Sequence, residues 1–443
     1  MPTPEEIDRS RRQGRDLLHL LVGLSCGLVL ALVLSHFRRP GEDADLERYR
    51  QVHDFVRSNY ARDVESRDLV ERSLHGMVES LDPYSHFYDH EQVAELERET
   101  SGKYTGIGVV FVQPATRGQV LLVLPNSPAE RAGLRPGDTI VAVAGRAVSA
   151  MAEGELRAML GDPDRGDVEL RLRSRAGVER ETAIGKDSVV HPTVRHEQIL
   201  DAERGIGYLA ITAFSQETVD EFDHALERLH AKGMRALVID VRGNLGGVLR
   251  ASVKIANRFV AHGLIVSHEG RGEPVRYEAD AKEARYLGLP LTVLVDGSSA
   301  SASEVFAAAV QEYRVAAIVG SPTFGKGMVQ QVQSFGDDMV VKLITSYYFT
   351  PSHRNIERTV AHAWDKGLVP DLEIDLDPAE VKAIHAHLET YSAPPNCVAE
   401  IEAWEREEHR SLFPAPPPDP QLDAALALFR GERPGAYVAQ AVK

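Results

Sequence analysis

Two short stretches of this 443-residue chain carry the residue types of nucleophilic catalysis. The first, Asp296-Gly297-Ser298-Ser299-Ala300-Ser301-Ala302-Ser303-Glu304, is a small-residue turn between an apolar run and a helical pattern. The second, Gly-Ser-Pro-Thr-Phe-Gly-Lys-Gly-Met-Val-Gln at 320–330, sets Lys326 between two glycines, where the backbone can approach closely and the amine sits in a confined place. A serine hydroxyl needs a neutral base within hydrogen-bond reach, and a lysine serves once burial lowers its pKa toward about 7 to 8. Gln330 follows Lys326 by four residues and shares its face in either a strand or a helix. Each stretch also has a plain structural account, since Ser301 with Glu304 fits a helix capping box.

The same lysine stretch invites a nucleotide-binding reading, which the residues argue against. Gly320 to Lys326 fits G-x-x-x-x-G-K, but Gly327 stands where a magnesium-binding Ser or Thr is needed. Asp240, the candidate metal-holding aspartate, precedes the loop instead of following it. A third element, Leu237-Val-Ile-Asp240-Val-Arg242-Gly243-Asn244-Leu245-Gly246-Gly247, is an apolar strand entering a glycine turn. Such a turn can point N–H groups into a cleft, as an oxyanion hole requires, or simply end a strand.

These motifs need a scaffold, and the apolar periodicity describes one. The runs 236–241, 291–295 and 315–319 alternate with helical patterns at 219–230 and 304–313, which predicts a parallel sheet covered on both faces, an α/β domain over 187–376. Ahead of it, Val168, Leu170 and Leu172 alternate with Glu169, Arg171 and Arg173, a half-exposed strand within a small β-rich domain spanning 103–186. Residues 49–102 carry helical spacing, with Val52, Phe55 and Val56 and then Leu69, Val70, Leu74 and Met77 recurring at three and four. Residues 377–443 are helical again and broken by Pro414-Ala-Pro-Pro-Pro-Asp-Pro.

Lys plus Arg number 50 against 66 Asp plus Glu, a net charge of −16, the opposite of a phosphate-neutralising surface, so nucleic acid is not an expected partner. Residues 17–37 are almost uninterrupted Leu, Val, Gly and Ala, and at about 1.5 Å per residue they reach roughly 31 Å, enough for one membrane-crossing helix. Arg9, Arg11, Arg12 and Arg15 lie in the short segment 1–16, which keeps that end cytoplasmic and sends the rest across, beyond a polar linker at 38–48. Without a convincing cleavage site, an uncleaved anchor is expected. Cys26 lies in the apolar run, leaving Cys397 as the one thiol beyond it. His86 with His90 and His385 with His387 lack a third ligand at recognisable spacing; they read as surface histidines, and no metal or other cofactor is expected.

In the β-rich domain, Thr105-Gly106-Ile107-Gly108-Val109 followed by Ser127-Pro-Ala-Glu-Arg-Ala-Gly-Leu-Arg-Pro-Gly-Asp138 resembles a PDZ domain. Glycines flanking Ile107 let successive N–H groups turn toward one point, a nest for the carboxylate of a peptide C-terminus, with the peptide adding as a strand to the open edge. Taken with Leu81-Asp82-Pro83-Tyr84-Ser85, Ser299 to Glu304, Thr323 to Gly327, Tyr348-Phe-Thr-Pro-Ser352 and Gly367-Leu-Val-Pro-Asp371, the chain over about 49–376 resembles the C-terminal processing peptidases, the tail-specific serine proteases of family S41. Gly243-Asn244-Leu245 stands where that family usually has Asn-Asn-Pro, and His353 where a glycine is common.

The resemblance implies a ClpP/crotonase-like α/β protease core with an inserted PDZ domain. It implies Ser301 as nucleophile, Lys326 as base and Gln330 as an assisting residue. The developing oxyanion would then meet the N–H of Ala302 at a helix N-terminus, with Gly246 as second donor. Expected partners are proteins with free C-termini, held at Gly106, Ile107 and Gly108, a periplasmic adaptor protein, and further copies of the chain as a homo-oligomer. The expected setting is the bacterial inner membrane, with the catalytic part in the periplasm. The competing expectation, an idle PDZ scaffold on the same fold, has no physical need to hold Ser301, Lys326 and Gln330 together.

Overall fold

The computed structural model describes residues 40–89, 92–93, 103–112, 117–152, 154–161, 166–336, 339–358, 367–394 and 396–431. The expected membrane span at 17–37 lies outside them, and among the described residues no helix is long and apolar enough to cross a membrane. The chain forms two units, 1–87 and 88–443.

In the first unit, α1 (Pro40–Asn59) and α2 (Ser66–Glu79) form where the helical spacing runs, but α1 also takes in residues 40–48, expected to be linker. Of the expected apolar positions on α1, Val52 and Phe55 are 63% and 67% exposed and Val56 is half-buried; Leu46, one turn before Tyr49, is 64% exposed. After α2, Asp82 closes a tight turn by accepting the N–H groups of Tyr84 and Ser85 and the Ser85 hydroxyl at 2.7–2.8 Å.

The second unit begins with the small β domain: β1 (Lys103–Gly106), β2 (Val109–Phe111), β3 (Val120–Val123), β4 (Thr139–Val143), α3 (Glu155–Gly161), β5 (Val168–Arg173), β6 (Glu179–Ile184) and β7 (Asp187–Val190). β5 alternates buried and exposed along its whole length, the pattern its sequence predicts. β1 pairs with β7, which lays Asp187–Val190 along the domain's first strand. Its apolar interior, with Ile107, Leu122, Ile140 and Leu170, also takes Ile401 and Trp404 from α8 (Val398–Glu408), far along the chain.

The core is a six-stranded sheet. β8 (Val194–Asp201) is antiparallel at one edge; β9 (Ile206–Ile211), β10 (Ala236–Asp240), β13 (Leu291–Val295), β14 (Ala316–Gly320) and β17 (Leu372–Glu373) follow in parallel. Every residue of β9, β10 and β13 is buried, as continuous apolar runs require when both faces are covered. α4 (Thr218–Ala231), α5 (Leu249–Asn257) and α6 (Ala302–Glu312) cover one face, while α7 (Pro378–Leu388) and α9 (Pro420–Arg430) pack on the other through Ile384, Leu388, Ala424 and Ala425. A second, antiparallel sheet in the order β12 (Val275–Glu278), β11 (Leu264–Gly270), β16 (Val340–Phe349), β15 (Met328–Ser334) packs beside α6. The residues from Ala302 to Val310 are all buried; alanines at 302, 307, 308 and 309 keep the helix narrow enough to sit between layers.

Candidate active site

Three loops leave the carboxyl ends of neighbouring parallel strands, the place where open α/β sheets build their sites. The loop after β10 is the glycine turn 243–247, that after β13 is 296–301, and that after β14 leads through Lys326 into β15.

Buried ionic contacts fix the first loop. Asp240 at the end of β10 accepts from the Arg242 guanidinium at 2.6–3.1 Å and from the Tyr208 hydroxyl at 2.9 Å. The other side of the same guanidinium reaches Asp419 at 2.6 and 2.8 Å and Gln421 at 3.1 Å, at the start of α9. Burial works against the charge on Arg242, but the paired carboxylates outweigh it and hold the guanidinium firmly protonated. Asp240 is thus a structural acid, fully committed. Beyond it, Asn244 ties the turn to the nucleophile loop: its amide donates to the Ile211 carbonyl at 2.8 Å, and its carbonyl accepts from Ala300 N–H at 3.0 Å and from the Ser303 hydroxyl at 2.9 Å.

Asp296 organises the second loop. Its Oδ1 accepts the N–H groups of Gly243, Ser298 and Ser299 at 2.9–3.1 Å, and its Oδ2 meets Nε2 of His385 on α7. Burial pushes this carboxyl up, yet the His385 contact and the backbone donors prevail and hold it below the usual carboxylate range. The hydrogen bond to Asp296 raises His385 against its own burial. His385 is therefore no free surface histidine, nor is His387, whose ring stacks on His196 at 4.7 Å. Burial, and then the His387 charge, lower the His196 pKa to about 4. Among the described residues no group of three or more His, Cys, Asp or Glu is arranged to hold a metal ion.

Ser301 ends the second loop as the N-cap of α6, at φ 55° and ψ −112°. This conformation is rare for a residue with a side chain, at a cost on the order of 1–3 kcal/mol, and it persists because its neighbours over-determine it. Gly246 lies against it: a Cβ there would fall 2.9 Å from Ser301 Cβ and 3.0 Å from Ala302 N. Among the described residues Ala302 N–H has no acceptor, whereas Gly246 N–H donates to Asn244 Oδ1 at 2.8 Å. Gly246 therefore supplies close approach, and its expected role as second oxyanion donor requires that Asn244 release it.

The third loop is joined to the second by one buried carboxylate, Glu304. Its Oε2 accepts the N–H of Ser301 at 2.9 Å and that of Lys326 at 2.8 Å, so the two nitrogens lie no more than about 6 Å apart. Its Oε1 accepts from Gly325 N–H at 2.7 Å and from the Thr323 hydroxyl at 2.5 Å. Burial raises the Glu304 pKa against these donors. The capping-box pattern foretells the Ser301 contact; the bonds to 323–326 carry no local signal.

Lys326 is half-buried. Burial, then the Lys342 charge, lower its pKa, and Glu357 and Glu304 pull the other way. Gly327 leaves no room for a side chain, since its Cβ would come within 2.4 Å of Glu357 N. Gln330 lies two residues inside β15, opposite Ile344 and just past a register shift at 329/330, so strict alternation from Lys326 does not set its face. Tyr348 on β16 is a further residue at the site, which no spacing in the sequence marks. Its hydroxyl lies within electrostatic reach of the Ser301 side chain, and burial pushes its pKa up to about 12, keeping it a neutral O–H. His353 adopts φ 62°, a backbone conformation that favours glycine.

In the β domain, the carbonyls of Ile107 and Gly108 point inward, accepting from Ala129 and Leu124 at 2.8 and 2.9 Å, while among the described residues their N–H groups have no acceptor. Gly108 is the glycine the backbone demands: φ is 81° and a Cβ would meet Ser127 Cβ at 2.2 Å. Gly106 instead ends extended strand β1, opposite Asp187.

Comparison with known proteins agrees with this layout. Residues 205–374 match Peptidase family S41, 119–174 a PDZ domain, and 34–92 the Activating protease CtpB N-terminal domain. Carboxy-terminal processing protease CtpA of Bacillus subtilis (strain 168) is 31% identical over 338 residues, 75% of this chain and 70% of that protein. The carboxy-terminal-processing protease of Bartonella bacilliformis is 28% identical over 91% of this chain and 93% of its own length. A solved photosystem II D1 C-terminal processing protease is 28% identical over 78% of this chain and 92% of that one, with a TM-score of 0.45. The chain belongs to peptidase family S41 and is a serine protease of the carboxy-terminal processing group, with the S41 fold and a PDZ domain.

Proposed function

We propose that Ser301 and Lys326 form the catalytic dyad of an endopeptidase that cleaves proteins near or from their C-termini. The observation that carries this reading is the shared Glu304 oxygen, which holds the backbones of the two residues in one frame. Neutral Lys326 takes the Ser301 proton as Oγ attacks the scissile carbonyl, then returns it to the leaving amine; water hydrolyses the acyl-enzyme by the same route. The oxyanion forms beside the free Ala302 N–H at the start of α6, with the adjoining Gly246 turn as the second wall. Tyr348 orients the Ser301 hydroxyl, and Gln330 assists the lysine. Exposed Leu245 and Phe324, on the loops after β10 and β14, offer apolar surface to a substrate chain.

The unengaged N–H groups at Ile107 and Gly108 support capture of a substrate's C-terminal carboxylate by the PDZ domain. The apolar segment 17–37 and the arginines before it support a single membrane anchor with the catalytic part on the periplasmic side. The uncovered apolar stripe of α1 supports a homo-oligomer in which a second copy covers it.

Cleavage of a free-acid peptide by the full chain tests the dyad. Ser301→Ala and Lys326→Ala each abolish turnover while leaving the thermal transition in place, and the double variant is no worse than either, because nucleophile and base act as one unit. Near-normal turnover by either variant overturns the assignment.

A further inference from the structure

The groove beside β2 is a cavity of about 340 Å³ walled mainly by apolar side chains and glycine backbone. The edge from Gly106 to Phe111 forms one side, α3 the other, and His191 and Tyr391 close it. Among the described residues that line it, Arg157 is the one with a formal charge and none is a carboxylate, while burial and the neighbouring Arg195 lower the His191 pKa. Among the described residues Arg157 has no ion pair or hydrogen bond, although most arginines of the PDZ domain do: Arg131, Arg135, Arg146, Arg173 and Arg175 all meet a carboxylate. Arg117 and Arg171 of the domain are also without such a partner among the described residues, but of the three only Arg157 lines the groove.

Its position along the groove is fixed by helix geometry. The C-terminal end of α3 adjoins the carboxylate nest, since a Cβ on Gly161 would lie 3.4 Å from the Thr105 carbonyl. Leu160 lies at that level, and Arg157 shares its face one turn earlier, about 5 Å farther from the nest. Among the described residues β2 pairs only with β3, which leaves its outer edge for an added strand. In such a strand alternate side chains face α3: the last residue and the one two before it, about 7 Å back.

We infer that Arg157 is a specificity-determining residue that selects substrate C-termini carrying an acidic side chain two residues before an apolar last residue. The inference rests on the proposed capture of the C-terminal carboxylate and adds to it a second, charge-based contact. Tyr391 lines the same groove within electrostatic reach of Arg157.

The test uses the full chain as Ser301→Ala, so that peptides bind without being cut. Fluorescence anisotropy is read for dansylated peptides ending in an apolar residue, identical except for Glu, Gln or Lys two residues before the end, with an amidated copy of the Glu peptide. Glu binds about three- to tenfold more tightly than Gln, and Lys more weakly still. Arg157→Gln removes the difference and Arg157→Glu inverts it, with the circular dichroism spectrum unchanged in both. Equal binding of the Glu and Gln peptides, with the amidated copy still weakened, overturns the role of Arg157 and leaves carboxylate capture standing. Equal binding of amidated and free-acid peptides overturns both. A Glu preference that persists in Arg157→Gln, or that is as large one residue before the end, also overturns the inference.

Discussion

The backbone N–H groups of Ser301 and Lys326, 25 residues apart in sequence, converge on the same oxygen of Glu304 at 2.9 and 2.8 Å. The serine stands at the start of a buried helix and the lysine in a glycine-flanked loop on the next strand, so nothing covalent keeps them in register. A fully buried carboxylate with four donors does, and it does so on the backbone, leaving both side chains to the chemistry.

Glu304→Ala therefore lowers kcat by about a hundredfold or more, because a shift near 1 Å between base and nucleophile is that costly. It also lowers Tm, since buried N–H groups left without an acceptor cost about 1–3 kcal/mol each. Glu304→Gln keeps the volume and one acceptor oxygen and falls between. Peptide turnover and thermal melts on both variants check this; unchanged kcat in Glu304→Ala contradicts it.

The pH dependence follows from the lysine. Burial and Lys342 lower the pKa of Lys326, so the neutral base is the minor form at low pH and kcat/KM rises with pH until that pKa is passed. Lys342→Gln removes a like charge, lets the Lys326 pKa rise and moves the ascending limb to higher pH. Superimposable profiles for wild type and Lys342→Gln remove Lys326 as the titrating base.

Stability has a separate pH signature at His385. Its folded pKa is raised by Asp296, so the stability it contributes is fully present below its unfolded pKa and is lost as pH rises through the folded one. Asp296 is lowered, and its contribution is lost only as pH falls through its depressed pKa. His385→Gln accordingly lowers Tm more at pH 6 than at pH 9. An equal loss at both would mean that the pair is not an ion pair.

The legible parts of the fold were those whose signal is local. β10, β13 and β14 are apolar runs buried on both faces, and α4 and α6 carry helical spacing. The second sheet carries no such signal, because β15 and β16 mix Gln331, Gln333 and Lys342 among their apolar residues and are largely half-exposed. Where a helix docks is written in no period either: α8 lends Trp404 to the PDZ interior, and Asp419 meets Arg242 across 177 positions. At the site, motif order placed Ser301 and Lys326, while Tyr348 and the bonds from Glu304 to the lysine loop depend on strand pairing and loop closure that sequence spacing does not encode.

The PDZ nest distinguishes its two glycines. Gly108→Ala weakens binding of a free C-terminus by about tenfold or more, because it meets both a positive φ and Ser127, whereas Gly106→Ala, in an extended strand, changes binding by less than about threefold. Peptide titration of the two variants decides, and the reverse order would place the nest elsewhere.

The central claim is that Ser301 carries the acyl group and Lys326 makes it do so. The direct measurement is an acid quench of the full chain during turnover of an activated peptide ester, followed by peptide mass mapping of the trapped adduct. The account predicts one acyl group on Ser301, absent in Ser301→Ala and strongly reduced in Lys326→Ala. Acylation at another serine, or undiminished acylation of Ser301 without Lys326, would contradict it.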